Sequence, residues 1–302
     1  MPLLGALALA GCGDSSDPPP AATPTAPAVT EAPAATATSA PPGSGANAFI
    51  GSIAVDPADG TLFLGTGLGL FTVDGKRQKR VTGELTTPDG AGAVSSNLVV
   101  RFDGPGELLG SGHPESNGPL PENLGLIRSA DGARTWKSVS QLGEADFHIL
   151  QVSGDDVVGV HAEDPDVRIS TDGGRTFERR SPPAPPVDVV MDPKETERMV
   201  VTTQQGTFTS ADGGRSWRPR DPAAEGQLAW LAPDRLYRSG AGGVILRSAD
   251  GGETWEEVGA LDLTVNELAG DADGNLYASL PGGEVHRSTD GGATWRRYVK
   301  LR

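Results

Sequence analysis

Four histidines stand in this 302-residue chain, and three of them lie close to carboxylates in sequence. His113 is two residues before Glu115, His148 two after Asp146, and His161 two before Glu163. Neutral imidazole nitrogen and carboxylate oxygen together suit Zn, Cu, Ni or Mn. His113, His148 and His161 are therefore candidate ligands of a divalent metal, with Asp146 beside them. The spacing matches no established metal motif, and a histidine near an acid is more often a solvated pair than a ligand. No other cofactor is indicated. The fourth histidine, His286, closely precedes a repeated motif and reads as surface. Cys12 is the sole cysteine, so neither a disulfide framework nor a thiolate metal site is available.

What must position these residues is a repeat. "SADGGRSW" at 210–217 recurs as "SADGARTW" (129–136), "STDGGRTF" (170–177), "SADGGETW" (248–255) and "STDGGATW" (288–295). The aspartates Asp131, Asp172, Asp212, Asp250 and Asp290 are spaced by 38 to 41 residues. A period near 40 marks stacked supersecondary units, and short apolar runs broken by Gly, Asp, Asn and Pro read as strands and hairpins. Four strands in each such period is the blade of a β-propeller. Within the octapeptide, Asp and Ser side chains close a tight turn on nearby backbone N–H groups, and the glycines supply positive φ. The closing ring (Trp136, Phe177, Trp217, Trp255, Trp295) can wedge against a sheet. A motif present in five units is a staple; a catalytic motif would occur once.

The octapeptide resembles the Asp box, or BNR repeat, of sialidases, sortilin-type receptors and propeller-shaped photosystem II assembly factors. The resemblance covers about residues 48–302 and implies an all-β propeller with the boxes between third and fourth strands. It implies little about activity, because enzymes, receptors and assembly factors share it; bacterial proteins of this kind carry the labels sialidase-like and glycosyl hydrolase. The sialidase catalytic set does not transfer. Arg128, Arg247 and Arg287 immediately precede boxes, Arg168 nearly so, and the family's Arg-Ile-Pro signature is missing. Arg238 is the one arginine expected at the working rim. Tyr237 and Tyr277 occupy equivalent second-strand positions and read as core.

Counting back from the C-terminus gives units at about 265–300, 226–259, 186–221, 145–180, 95–140 and 50–82, hence six four-stranded blades, or seven if the ends share one. The second unit and its entry carry about 17 residues more than the period. Aligning the first-strand starts places Ser52, Asn97, His148, Asp188, Gln227 and Asn266 in one polar column, with Asp146 the alternative in the third unit. Asn97, Asp146, Asp188, Gln227, Asn266 and Arg238 are thus candidate ligand-binding residues on the face opposite the octapeptides. A polar ring round a wet channel is the plainer reading. Second-strand ends share that face, which brings His113 and His161 to it as well, and so does the insertion "HPESNGPLPEN" at 113–123.

The ends add a location. "MPLLGALALAGC" (1–12) resembles a bacterial lipobox with Cys12 as the lipidated residue; the basic start of a signal peptide is missing, as if the start were assigned too late. Residues 13–47 are Pro, Ala, Thr and Ser without core-forming runs, the composition of a disordered tether. The propeller follows at 48–302. The expected localisation is extracytoplasmic, with the membrane reached only through the lipid. Net charge is −15, which argues against nucleic acid. Two functions remain: a monomeric binding or assembly propeller for an envelope protein or glycan, and a divergent extracellular glycoside hydrolase. Two carboxylates about 5–9 Å apart in a deep central pocket would favour the hydrolase.

Overall fold

A computed structural model describes residues 49–301 apart from 115–117 and 223–224. The expectations for Cys12 and for the 13–47 tether lie outside the described residues. Five four-stranded antiparallel sheets follow one another along the chain. The first holds β1 (Ile50–Val55), β2 (Leu62–Thr66), β3 (Gly69–Asp74) and β4 (Arg77–Val81). The third unit holds β10 (Phe147–Ser153), β11 (Asp156–His161), β12 (Asp164–Ser170) and β13 (Glu178–Arg180), and the fourth β14 (Pro186–Met191), β15 (Met199–Thr203), β16 (Gly206–Ser210) and β17 (Arg218–Asp221). The fifth is β18 (Leu228–Ala232), β19 (Arg235–Ser239), β20 (Val244–Ser248) and β21 (Glu256–Ala260); the last is β22 (Glu267–Gly270), β23 (Leu276–Leu280), β24 (Glu284–Ser288) and β25 (Arg296–Lys300).

The second unit corrects the expectation of six equal blades, and with it the seven-blade alternative, since the first and last sheets each use one contiguous segment. Its strands are β5 (Gly83–Thr87), β6 (Gly90–Gly104), β7 (Glu107–Pro114), β8 (Leu126–Ser129) and β9 (Thr135–Ser140), and they close on themselves. The residues taken as an entry loop form β5 and the first half of the long β6. β5 pairs antiparallel with β6 and parallel with β9, through Glu84↔Thr135 and Leu85↔Trp136. Closure removes the free edge that an outer strand otherwise presents. The other outer strands stay open, and all carry charge: β4 ("RQKRV") and β25 ("RRYVK") are basic, while β21 ("EEVGA") is acidic.

Burial follows from position in the sheet. Second strands such as β2 ("LFLGT") and β15 ("MVVTT") are buried at every residue, because both of their faces meet a neighbouring sheet. Each hydrophobic cluster joins two adjacent units: Phe63 and Leu70 meet Leu108 and Trp136, while Ile53 and Leu64 meet Tyr277 and Val285. The innermost strands β1, β6, β10, β14, β18 and β22 lie side by side in that order, and β22 returns to β1. Ser279 Oγ donates to the Ile50 carbonyl (2.9 Å) and Gln78 Nε2 to the Lys300 carbonyl (2.8 Å), tying the last unit to the first.

The octapeptides connect third to fourth strands, or β8 to β9 in the closed unit, and they are built alike. In the 210–217 copy Ser210 Oγ donates to Asp212 Oδ1 (2.8 Å) and accepts from Gly214 N–H (2.9 Å). Asp212 Oδ1 accepts from Ser216 N–H (2.9 Å) and Oδ2 from Ser216 Oγ (2.6 Å). These donors hold the carboxylates of Asp172, Asp212, Asp250 and Asp290 down at about 2. Antiparallel order puts first-strand starts, second-strand ends and second-to-third turns at the opposite face.

Candidate functional site

On that opposite face the end of β7 and the start of β10 come together. Phe147 N–H donates to Ser111 Oγ (2.9 Å), and Ala162 N–H to the Asp146 carbonyl (2.9 Å), so the backbone of Asp146 is fixed from both sides. Its carboxylate Oδ2 stands 3.2 Å from His113 Nε2 and 2.8 Å from His148 Nε2. One ligand-capable atom from each of the three residues lies within 4.8 Å of the others. His113 is further held through Nδ1, 2.9 Å from the Glu122 carbonyl. Asp146 Oδ1 is buried and has no hydrogen-bond partner among the described residues. The Asp146 hydrogen bond, working against partial burial, raises His113 to about 9. Burial alone would raise Asp146, but hydrogen bonds from His113 and His148 outweigh it and hold the carboxyl well below the usual range.

His161 does not join them. It is buried, with Nε2 3.2 Å from the Glu144 carbonyl and Nδ1 accepting from Glu163 N–H at 2.9 Å. Its place is taken by Asp146, the alternative residue in the polar column. His286 is half-buried against Glu284, at 3.1 Å.

A second cluster sits on the axis. Arg101 Nη2 meets Glu267 Oε1 at 2.7 Å, and Arg101 Nη1 donates to Ser52 Oγ at 3.1 Å. Asp188 accepts backbone N–H groups from Val189 through Oδ1 and from Leu228 through Oδ2, both at 2.8 Å. Burial, then the negative charge of Glu267, push Asp188 up to about 7 against the pull of those amides and Arg101. Burial likewise raises Glu267. Asp188 and Glu267 are each less than a tenth exposed. Bordering this cluster and extending towards the other end of the same strands lies a cavity of about 260 Å³, lined by all six innermost strands, with Arg101 and Leu228 in its wall beside Val55, Val152, Val190 and Ala269.

The remaining candidates separate. Asn97 is exposed and takes a positive φ of 49°. Gln227 and Asn266 are half-buried, and their backbones close the sheet starts against Ser239 and Ser279. Arg238 is corrected: it is buried between units, donating to Thr207 Oγ1 (2.7 Å) and Asp221 Oδ2 (3.0 Å) and lying 4.5 Å over the Trp255 ring. Glu267 and Arg101 were missed. In β1, β10 and β14 the pairing shifts register at the strand start, whereas β22 pairs without a shift. Each such irregularity moves the inward phase by a residue, so the column that holds Asp188 falls on Glu267 and not on Asn266. Arg101 is the charged break in "LVVRF", the one direct signal.

No protein-family model matches the chain, and no curated protein is similar to it. Solved structures share the fold. YCF48 from Cyanidioschyzon merolae is 14% identical with a TM-score of 0.50, over 84% of this chain and 86% of that one. An ancestral GH74 enzyme is 13% identical with a TM-score of 0.52; the match covers 85% of this chain but 39% of the enzyme. YCF48 bound to a D1 peptide is 18% identical with a TM-score of 0.42, over 64% of this chain and 65% of that one. The chain has the architecture of a β-propeller with four-stranded blades.

Proposed function

We propose that this chain is an extracytoplasmic binding and scaffold propeller, tethered through a lipidated Cys12, whose first-strand face docks a protein partner of the envelope. We read its five octapeptide turns as Asp boxes that staple the units. The observation that carries the docking reading is the distribution of exposed apolar side chains. Among the described residues, the large hydrophobics left to solvent are Phe49 (57%), Leu68 (61%) and Leu263 (49%). Phe49 precedes β1, Leu68 lies in the turn between β2 and β3, and Leu263 precedes β22, so all three belong to one face of two adjacent sheets. Exposed apolar side chains collected on one face are the usual signature of an interaction surface.

The test is capture of an envelope protein by the full chain, followed by identification of its contact surface. Leu68→Asp and Leu263→Asp should abolish capture without lowering the melting temperature, and Arg175→Glu on the octapeptide face should leave it intact. Equal capture by all three would remove the docking reading. Cys12→Ser should move the protein from membranes to the medium; retention on membranes would remove the anchor.

One observation favours the hydrolase instead, namely two buried carboxylates, Asp188 and Glu267, whose burial favours their protonated forms. Their oxygens are already engaged by Val189, Leu228 and Arg101, which supports a role in closing the ring. Glycan hydrolysis by the wild type that is lost in Asp188→Asn would reverse this preference.

A further inference from the structure

We infer that His113, Asp146 and His148 form a binding site for one divalent transition-metal ion, open to an outside ligand on the first-strand face. The inference stands independently of the docking reading, because it rests on three side chains and not on the apolar surface.

The spacing of the donors is the first argument. Metal–nitrogen and metal–oxygen bonds of about 2.0–2.2 Å place neighbouring ligand atoms roughly 3 Å apart. The two imidazole Nε2 atoms stand 3.2 and 2.8 Å from the shared Asp146 oxygen, and all three atoms lie within 4.8 Å of one another. Small side-chain rotations would bring them onto one ion. The backbone needs no rearrangement, since Ser111, Ala162 and the strand pairing already fix it.

Tautomer chemistry is the second. A carbonyl only accepts, so the 2.9 Å contact between His113 Nδ1 and the Glu122 carbonyl requires the proton on Nδ1. In the neutral ring Nε2 then presents a lone pair, and it presents it to an acceptor, Asp146 Oδ2. Two acceptors 3.2 Å apart need a positive charge between them. A proton can supply it, and so can a metal. Donation of the second ring nitrogen to a backbone carbonyl is the arrangement that orients metal-bound histidines.

The third argument is an unmet need. Asp146 is 6% exposed, and its Oδ1 is buried with no hydrogen-bond partner among the described residues. A buried carboxylate oxygen left bare is costly, and a second bond to the same ion would satisfy it. Two imidazoles and one carboxylate select Zn, Co, Ni or Cu over Mg or Ca. The His148 side chain is 60% exposed, so the ion would have a solvent side where water or a partner's side chain could complete the shell.

Zinc titrated into the full chain by calorimetry should show one site per chain. His148→Ala should weaken it at least about tenfold, a lower bound set by what loss of an outer partner alone costs. Asp146→Asn should weaken it similarly, and His161→Ala should not change it. Cobalt(II) should give the visible absorption of a low-coordinate nitrogen–oxygen site in the wild type and lose it in His148→Ala. No zinc binding by the wild type, or equal affinity in the wild type and His148→Ala, would overturn the inference. That pair decides even if Asp146→Asn fails to fold, because exposed His148 has no part in the core.

Discussion

The two faces of this propeller are built on opposite plans. On one, five turns repeat the same bonds: the Ser Oγ–Asp Oδ1 contact measures between 2.7 and 3.0 Å in every copy. On the other, the starts of the innermost strands do not repeat one residue set: some carry exposed apolar side chains and others buried carboxylates. Phe49 leads into β1, Asp146 into β10 and Leu263 towards β22. Repetition is what stability needs, since five of the six units must close the same turn and pack a ring beside it. Recognition needs differences, and these gather where the strand starts converge on the axis. Substitutions on the uniform face should therefore register in stability, and those at the His–Asp–His rim in ligand binding.

The sharpest break of this contrast is Trp136→Ala. The ring is buried, donates from Nε1 to the Ala133 carbonyl (3.1 Å), and belongs to the cluster joining the first unit to the closed sheet. Truncation should cost roughly 3–5 kcal/mol, as for other buried aromatic rings, whereas His148→Ala should leave the melting temperature unchanged. Urea unfolding of both variants makes the comparison. A mild effect at Trp136 would mean that the closed sheet does not depend on its staple.

Next in size is a pH effect from the axis. The folded-state value of Asp188 is raised to about 7, so between about pH 4 and 7 the folded chain binds more protons than the unfolded one. Stability should fall as pH rises through that window, by at most a few kcal/mol. The octapeptide carboxylates act in the opposite sense. Depressed to about 2, they contribute above pH 4, and that contribution is lost as pH falls through 2. The wild type should therefore be most stable near pH 4 to 5, and Asp188→Asn should flatten the decline towards pH 7. An unchanged decline in that variant would place its origin elsewhere.

Asp212→Ala is smaller again. It removes the acceptor of the surface-lying Ser216 N–H and Oγ and of the Ser210 hydroxyl, at roughly 0.5–1.5 kcal/mol. Zinc affinity should be untouched. A stability-neutral Asp212→Ala that changed binding would collapse the division between faces.

The uniform face was readable in sequence because each turn is local. Ser, Asp, Gly and the Ser or Thr at the seventh position lie within seven residues and contain the atoms the turn uses, and period supplied the unit boundaries to within a few residues. The irregular unit was not readable, because the parallel pairing of Leu85 with Trp136 joins segments some fifty residues apart, and nothing within 83–94 announces that partner. At the rim, strand order sets the end of β7 beside the start of β10, and His113 and His148 both reach Asp146. It failed on His161, whose ring turns back onto the Glu144 carbonyl, a choice set by side-chain packing that strand order does not encode. Arg238 failed for a similar reason: a second-strand end was expected to face solvent, but Thr207, Asp221 and Trp255 enclose it.

The smallest effect tests how strict the uniformity is. Four copies place glycine at the fifth position of the octapeptide, with φ of 83° at Gly174, 74° at Gly214, 90° at Gly252 and 92° at Gly292. The closed unit has Ala133 there, at φ 67°. Left-handed backbone costs an L-residue about 1–2 kcal/mol, so Ala133→Gly relieves strain. It also frees the unfolded chain by about 0.4–1 kcal/mol and removes a fully buried methyl worth about 0.8 kcal/mol. These terms nearly cancel, and the variant should lie within about 0.5 kcal/mol of the wild type. The reverse change recovers the unfolded-state term but must fit its methyl into an occupied site. A Cβ on Gly214 would stand 3.2 Å from the Trp217 ring, so Gly214→Ala should lose about 1 kcal/mol or more. If Gly214→Ala proves as neutral as Ala133→Gly, the glycine is a habit of the repeat and not a requirement of its geometry.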